Sequence, residues 1–289
     1  GPQGTDFGYF GGGSPSGPHL STVDRIDYSN DTAAAATKGP LSSARSYLGA
    51  TSSASFGYFG GGNGVVSLVD RVDYSNDTAT ALAKGPLSVT RNKSGSTGNA
   101  SFGYFAGGQT PSVVSSVDRI NYSNDTATAA VKGPLSSARY QLSATGNASF
   151  GYFGGGSPPS PTTEVDRIDY SSDTATASPK GPLSSARSHL AATGNADFGY
   201  FGGGRNPVVS IVNRIDYSND TATSVTKGPL SVARDKLAAT GNADFGYFGG
   251  GAASGPTAKT TVDRIDYAND TGTTPTKGPL SAVKYALAA

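Results

Sequence analysis

The apolar residues of this chain are concentrated in one short aromatic phrase that recurs six times. The first copy is Phe7-Gly8-Tyr9-Phe10-Gly11-Gly12-Gly13, and later copies start at Phe56, Phe102, Phe150, Phe198 and Phe245. The copies are separated by about 48 residues, and a fixed period of this size is typical of repeat architectures. A unit this short cannot bury a core alone, so the pattern predicts six equivalent units that pack against their neighbours.

Each repeat contains four segments with the short length and the alternating or aromatic composition of β-strands. In the fourth repeat these segments are 150–153, 165–170, 175 to about 180, and 187–193. Turn-forming residues separate the last three segments and follow the fourth: Ser171-Ser172-Asp173-Thr174, Gly181-Pro182 and Gly194-Asn195. Polar turn residues and proline both interrupt a strand ladder. The repeat therefore predicts four antiparallel strands and has no helical period.

Four short antiparallel strands per repeat are typical of one blade of a β-propeller. We predict that residues 1–289 form a single all-β, six-bladed β-propeller, with 1–4 a tag scar or linker because of Gly1-Pro2. The chain starts with an aromatic strand at Phe7 and finishes with 284–289, the segment that precedes the phrase in other repeats. We therefore expect the N- and C-terminal strands to pair in one blade, which removes two exposed sheet edges.

Three motifs in each repeat resemble those of the kelch repeat. In the fourth copy they are Tyr152-Phe153-Gly154-Gly155, Asp169-Tyr170 and the Pro-Leu-x-x-x-Arg segment from Pro182 to Arg187. The resemblance extends over essentially the whole chain and implies four-stranded blades and closure through both termini. The sequence is a divergent example, because the kelch tryptophan is replaced by a strand of Ala, Thr and Ser.

Composition narrows the function classes. A formal charge of +1 provides no overall electrostatic attraction for nucleic acid. No apolar stretch is long enough to span a membrane. The absence of cysteine excludes disulfides, thiolate metal sites and thiol nucleophiles. We expect a monomer without a cofactor.

An arginine and, two residues later, an acidic or amide residue recur on the second strand of every repeat. Side chains two apart share a strand face, and charges buried between blades need partners. We therefore predict inter-blade Arg–carboxylate pairs. The residues are Arg25 and Asp27, Arg71 and Asp73, Arg119 with Asn121, Arg167 and Asp169, Arg214 and Asp216, and Arg264 and Asp266. The alternatives are acid/base chemistry or a cation in the central channel, but recurrence in all six copies favours a structural role.

The copies differ mainly in two places. One is the loop after the glycines: 14–22, 63–68, 109–116, 157–164, 205–211 and 252–261. The other is the pair after the last Arg or Lys of the repeat: Ser46-Tyr47, Asn92-Lys93, Tyr140-Gln141, Ser188-His189, Asp235-Lys236 and Tyr285-Ala286. Alternating strand direction predicts that loops and pairs share one face of the ring, here called the variable face.

The variable face contains both histidines, the single glutamate and the three tyrosines outside the repeated phrases. Tyrosine among small polar residues is common in recognition surfaces. Our candidate ligand-binding residues are His19, Tyr47, Lys93, Tyr140, Gln141, Glu164, His189, Arg205, Asn206, Asp235, Lys236 and Tyr285. The alternative is that these exposed positions vary because nothing constrains them.

Three functions fit this pattern. The first is a non-enzymatic binding or display module that recognises a protein or glycan, as in microbial or phage surface proteins, with an extracellular or virion location. The second is a scaffold or an engineered near-symmetric propeller without a ligand. The third is a propeller enzyme, for which the chain offers no cysteine, one glutamate and two histidines in separate repeats. We predict no catalytic or metal-binding residues.

Overall fold

Six antiparallel sheets follow one another along the chain, one for each aromatic phrase. The computed structural model describes residues 6–64, 66–255 and 257–289. The linker expected at 1–4 lies outside the described residues, as do Val65 and Pro256 in two of the variable loops. Strands pair within each sheet in the order in which they occur along the chain. The prediction of an all-β, six-bladed propeller is confirmed.

Four of the sheets have four strands, and the first and last have three. The first three sheets contain β1 (Phe7–Gly11), β2 (Val23–Asp27) and β3 (Ala36–Thr37); β4 (Gly49–Ser52), β5 (Phe56–Gly60), β6 (Val69–Asp73) and β7 (Leu82–Ala83); and β8 (Gly95–Gly98), β9 (Phe102–Ala106), β10 (Val117–Asn121) and β11 (Ala130–Lys132). The last three contain β12 (Ser143–Gly146), β13 (Phe150–Gly154), β14 (Val165–Asp169) and β15 (Ser178–Pro179); β16 (Ala191–Gly194), β17 (Phe198–Gly202), β18 (Val212–Asp216) and β19 (Val225–Thr226); and β20 (Ala238–Gly241), β21 (Phe245–Gly249) and β22 (Val262–Asp266).

In five blades a short 3-10 turn follows the second predicted strand of the repeat, which contains Arg25 or its counterpart. These turns are Tyr28–Asn30, Tyr74–Asn76, Tyr122–Asn124, Tyr170–Ser172 and Tyr217–Asn219. The tyrosine expected at the end of strand two therefore begins the turn instead. The outer strand is also shorter than predicted, since β15 spans only Ser178–Pro179 rather than 175–180.

The innermost strand begins and ends later than the sequence suggested. β16 spans Ala191–Gly194 because His189 has a φ of 57°, which is incompatible with an extended strand. The following turn is centred on Asn195, whose Oδ1 accepts hydrogen bonds from Asp197 N and Phe198 N at 2.9 Å. The turn expected at Gly194-Asn195 is thus shifted by one residue, and Gly194 belongs to the strand.

The two ends of the chain meet in the first blade. Gly11 N donates to Ala288 O at 2.7 Å, and Ala288 N donates to Gly11 O at 3.0 Å. A further bridge joins Ser14 to Tyr285. The C-terminal segment therefore lies along the free edge of β1, in the place that β4 occupies beside β5.

Aromatic residues fill the interfaces between blades. The ring of Tyr9 stacks on that of Tyr74 in the next blade, with 4.9 Å between ring centroids. Phe59 of that next blade packs against Gly11. A Cβ at Gly11 would lie 2.6 Å from Cε1 of Phe59, so a side chain there would displace that ring. The remaining tyrosine stacks are Tyr58–Tyr122, Tyr104–Tyr170, Tyr152–Tyr217, Tyr200–Tyr267 and Tyr247–Tyr28.

An aspartate of the turn, rather than of the strand, completes each inter-blade ion pair. Asp77 Oδ2 accepts hydrogen bonds from Tyr9 Oη at 2.8 Å and from Arg25 Nη1 at 2.9 Å, both in the preceding blade. The Arg25 guanidinium also lies 4.1 Å from the centre of the Phe7 ring. The corresponding arginine–aspartate pairs are Arg71–Asp125, Arg119–Asp173, Arg167–Asp220, Arg214–Asp270 and Arg264–Asp31.

The prediction that the strand aspartates pair between blades is wrong. Asp27 Oδ1 instead accepts hydrogen bonds from Ser29 N at 2.9 Å and Ser29 Oγ at 2.7 Å. Because Asp27 precedes the 3-10 turn, its carboxylate reaches the free amide of that turn rather than the neighbouring blade. The same local role is taken by Asp73, Asn121, Asp169, Asp216 and Asp266.

Candidate functional site

The variable loops and the variable residue pairs lie side by side on every blade. Asn63 N donates to Ser46 O at 2.8 Å in the second blade. In the other blades an antiparallel bridge joins loop and pair: Ser14 and Tyr285, Asn92 and Gln109, Tyr140 and Ser157, Ser188 and Arg205, and Asp235 and Ala252. The positions at which the copies differ are therefore brought together.

A buried cation fixes the backbone that leads into each variable pair. Arg45 donates from Nη1 to Gly61 O at 2.7 Å and lies 2.8 Å from Asp70 Oδ2 through Nη2. Both charged groups are buried. Removing one of them would therefore leave the other as an unpaired buried charge, which is strongly destabilising. The equivalent ion pairs are Arg91–Asp118, Arg139–Asp166, Arg234–Asp263 and Lys284–Asp24, and in the fifth blade Arg187 bonds to Asn213.

The second residue of each pair belongs to a closed ring of backbone hydrogen bonds. Each N–H donates to the carbonyl of the residue before it in the ring at 2.7–2.9 Å. The order is Tyr47, Lys93, Gln141, His189, Lys236 and Ala286, whose carbonyl accepts from Tyr47. We refer to these six residues as the axial ring. It joins all six blades and also links the two ends of the chain.

All six residues of the axial ring have left-handed backbone conformations, with φ from 55° to 62°. This conformation costs a residue with a side chain about 1 kcal/mol, whereas glycine adopts it freely. Nevertheless, none of the six positions is glycine. Backbone strain of this kind is concentrated at functional sites in proteins, so the retention of side chains here draws attention to what they do.

The axial ring surrounds the opening of a cavity of about 110 Å³ on the axis of the propeller. Small residues of the innermost strands, including Ala144, Ala192 and Ser96, form its walls. Third neighbours in the ring lie on opposite sides of it, and two of the three such pairs carry aromatic or charged side chains. One pair is Tyr47 and His189, whose rings meet edge to face at 6.2 Å. The other is Lys93 and Lys236.

Each lysine of the axial ring lies against an aromatic ring. Lys93 Nζ is 5.0 Å from the centre of the Tyr47 ring and 5.7 Å from that of Tyr140. Lys236 Nζ is 5.3 Å from the centre of the Tyr285 ring. Cation–π contacts of this kind stabilise a partly desolvated ammonium group. Tyr140 and Tyr285 thus support the cations of the axial ring from its outer side.

The axial opening is electropositive. Burial and the charge of Lys236 lower the pKa of Lys93. Burial, followed by the positive charges of Lys236, Arg205 and Lys93, lowers the pKa of His189 to about 3, so this histidine is neutral at pH 7. Burial likewise raises the pKa of Tyr47 to about 12. The opening therefore combines two lysines with a histidine and a tyrosine that are both neutral at pH 7.

One carboxylate lies behind this opening. Asp235 is buried, and its Oδ2 is 3.2 Å from Arg205 Nε and 3.6 Å from Lys236 Nζ. It therefore offsets part of the charge on one side of the ring. Lys93 has no such partner, since no carboxylate within the described residues lies within 4.0 Å of its Nζ.

Three predicted site residues lie away from the axial cavity. His19 is exposed on its loop, with Nδ1 at 3.0 Å from Ser46 Oγ. Glu164 is also exposed and accepts a hydrogen bond from Ser137 Oγ at 3.0 Å. Asn206 is exposed with a φ of 106°. These residues belong to the outer part of the variable face and could contact only a ligand that extends beyond the cavity.

The opposite end of the channel has a larger opening of about 360 Å³. It is lined by the turns that follow the innermost strands, from Thr51–Ala54 to Gly194–Ala196. These turns are nearly the same in every repeat and contribute no charged side chain to the lining. This end of the channel therefore lacks the charged lining residues that the axial ring contributes at the variable face.

The sequence identified these residues as variable but did not reveal the axial ring. Left-handed geometry is usually recognised from glycine, and no glycine occupies these six positions. The sequence marked these residues only by position, because each one lies two residues after the Arg or Lys that follows the Pro-Leu segment, from Arg45 to Lys284.

Neither a metal-binding cluster nor a membrane-spanning helix is found within the described residues. They contain no cluster of three or more His, Asp or Glu side chains suited to a metal ion. None of their helices has the length and apolar character needed to cross a bilayer. A scan against models of protein families finds no match to this sequence, and a search among curated proteins also finds none.

Proposed function

We propose that this protein is a divergent kelch-like propeller that acts as a non-enzymatic binding module. Its ligand is a protein or a glycan, and recognition takes place on the variable face around the axial opening. The kelch-like assignment is supported by the three repeated motifs, which recur in all six repeats with single substitutions at Ala106, Asn121 and Lys284.

The observation that carries this proposal is the separation of constant and variable residues. The tyrosine stacks and the arginine–aspartate pairs recur at all six interfaces and account for the stability of the ring. The axial ring holds five different kinds of side chain in the same strained conformation. Since glycine would be less costly at each position, a function for the side chains explains their presence better than stability does.

A ring without a specific ligand is the second candidate, and the uniformity of the interfaces favours it. Six nearly identical interfaces make a stable scaffold whatever the variable face contains. A ligand that binds the folded state raises the melting temperature. A broad thermal-shift screen without any reproducible increase would therefore favour the scaffold over the binding module.

The experiment that tests the binding proposal is a glycan array and a defined protein panel probed with three forms of the protein. One is the wild type, and the second carries Tyr47→Ala, Tyr140→Ala, His189→Ala and Tyr285→Ala. The control carries four substitutions on the opposite face: Ala100→Ser, Ala148→Ser, Ala196→Ser and Ala243→Ser. We expect wild type and control to bind the same probes and the first variant to lose them. Binding that survives the four variable-face substitutions would refute the assigned face.

A further inference from the structure

We propose that the axial cavity binds a small oxyanion group, such as a carboxylate or sulfate, between Lys93 and Lys236. This inference rests on the proposed binding role of the variable face and specifies the chemistry at its centre. The two lysines are third neighbours in the axial ring, so they approach the cavity from opposite sides.

The polar side chains at the cavity opening are mainly hydrogen-bond donors. The residues that line it include Lys93, Lys236, Tyr47, Gln141 and His189, whose side chains carry ammonium, hydroxyl, amide and imidazole groups. Each of these groups can donate a hydrogen bond, and the two ammonium groups cannot accept one. The backbone amides of the ring are already occupied by its own hydrogen bonds. An anion would therefore be held by side chains alone.

The charges at the opening are incompletely balanced. Asp235 lies near Lys236 and Arg205, but Lys93 has only aromatic partners among the described residues. Like charges that face each other in a partly desolvated space repel, and an anion on the axis would attract both. The repulsion between the lysines is thus relieved when an oxyanion binds.

The size of the cavity limits the ligand to a small group. Its volume of about 110 Å³ compares with about 30 Å³ for a water molecule in the liquid. Carboxylate and sulfate groups are of the corresponding size, while the rest of a larger ligand would lie outside, against Tyr140 and Tyr285. The same chemistry could come from a free inorganic anion or from an acidic sugar.

The test is calorimetric titration of the full chain with sodium sulfate, sodium glucuronate and glucose at constant ionic strength. We expect saturable binding of at least one anion at one site per chain and no binding of glucose. Binding of sulfate but not glucuronate would identify the ligand as a free inorganic anion. Binding of glucuronate but not sulfate would identify it as an acidic sugar. Absence of saturable binding for both anions would overturn the proposal.

Matched variants locate the site. Lys93→Gln with Lys236→Gln should weaken anion binding by at least about tenfold. Lys93→Arg with Lys236→Arg should retain it, which separates charge from folding. Lys132 and Lys180 lie at blade interfaces near Asp173 and Asp220, so Lys132→Gln with Lys180→Gln removes the same charge elsewhere and should leave the affinity within about twofold of wild type. Equal binding by wild type and the axial Gln variant would place the anion elsewhere and refute the inference. If anions do not bind but array probes still depend on the variable face, the proposed function stands and only this inference fails.

Discussion

Arg187 Nη2 donates a 2.6 Å hydrogen bond to Asn213 Oδ1, at a position where the other five blades carry aspartate. Both residues are buried, with exposed fractions of 1% and 0%. Arg187 also donates to Gly203 O at 2.6 Å, but it lacks a carboxylate partner. Burial lowers the pKa of Arg187 to about 10. The fifth blade therefore contains a buried cation whose charge is not compensated locally.

Replacing this amide by a carboxylate should stabilise the protein. Asn213→Asp restores the ion pair present in the other blades, and Ser184 can donate to the new carboxylate as Ser231 does to Asp263. We expect a gain of about 1–3 kcal/mol in the free energy of unfolding, measured by urea denaturation. Asn121→Asp is the matched control, because Asn121 is exposed and should change stability by less than about 0.5 kcal/mol. An unchanged or lower stability for Asn213→Asp would contradict this interpretation of the buried pair.

Asp73 and Asp77, which flank one 3-10 turn, should contribute unequally to stability. Asp77 accepts hydrogen bonds from Tyr9 and Arg25 across a blade interface. Asp77→Ala would leave Arg25 and Tyr9 without their partner, at a cost of about 3 kcal/mol. Asp73 only caps its own turn, so Asp73→Ala should cost about 1 kcal/mol or less. Urea unfolding of the two variants would show this order, and equal losses would disprove the assigned roles.

Strain in the axial ring can be measured at Gln141. Its φ of 62° is favourable for glycine and unfavourable for alanine. We expect Gln141→Gly to be more stable than Gln141→Ala by about 1 kcal/mol, in thermal unfolding at one pH. At an ordinary strand position such as Thr145 the order should be reversed, since glycine weakens strands. Greater stability for alanine at position 141 would show that the ring is not strained.

Stability should depend on pH through His189. Its folded-state pKa of about 3 lies below the value near 6.5 of an unfolded histidine. Above pH 6.5 both states are neutral, so His189 has no effect there. As the pH falls from about 6.5 to about 3, the unfolded chain binds a proton that the folded protein excludes, and stability is lost.

The measurement is the melting temperature between pH 7.5 and 4 for wild type and His189→Gln. Carboxylates also titrate at the acid end of this range, so the difference between the two proteins is the informative quantity. We expect the wild type to lose more stability than His189→Gln as the pH falls. His19→Gln, which removes the exposed histidine instead, is the matched control variant. If the melting temperatures of wild type and His189→Gln fell equally with pH, burial of His189 would make no contribution to the pH dependence of stability.

The period and the strand pattern were sufficient to predict the six-bladed ring. The phrase beginning at Phe7 predicted aromatic packing, and the stacks of Tyr9 and its counterparts lie at the blade interfaces. The sequence pattern could not show in the same way which aspartate pairs with each interface arginine. Asp27 and Asp31 flank the same 3-10 turn, and only the geometry of that turn determines which of them pairs with an arginine of the neighbouring blade.

The axial ring could be derived only in part. Lys93 and His189 were identified as candidates because the copies differ there. Their convergence depends on left-handed backbone at positions without glycine, and on hydrogen bonds between residues about 48 apart in sequence. Such long-range pairing is a property of the closed ring and has no local signature.

The central claim is that the axial side chains serve recognition while the repeated interfaces maintain the fold. Ala286 already adopts the axial geometry, so an all-alanine axial ring should still close. The decisive measurement compares wild type with a variant carrying Tyr47→Ala, Lys93→Ala, Gln141→Ala, His189→Ala and Lys236→Ala, by glycan-array binding and thermal unfolding. We expect the variant to melt within about 5 °C of wild type and to lose the probes that wild type binds. Array binding that persists in the all-alanine variant would contradict the claim.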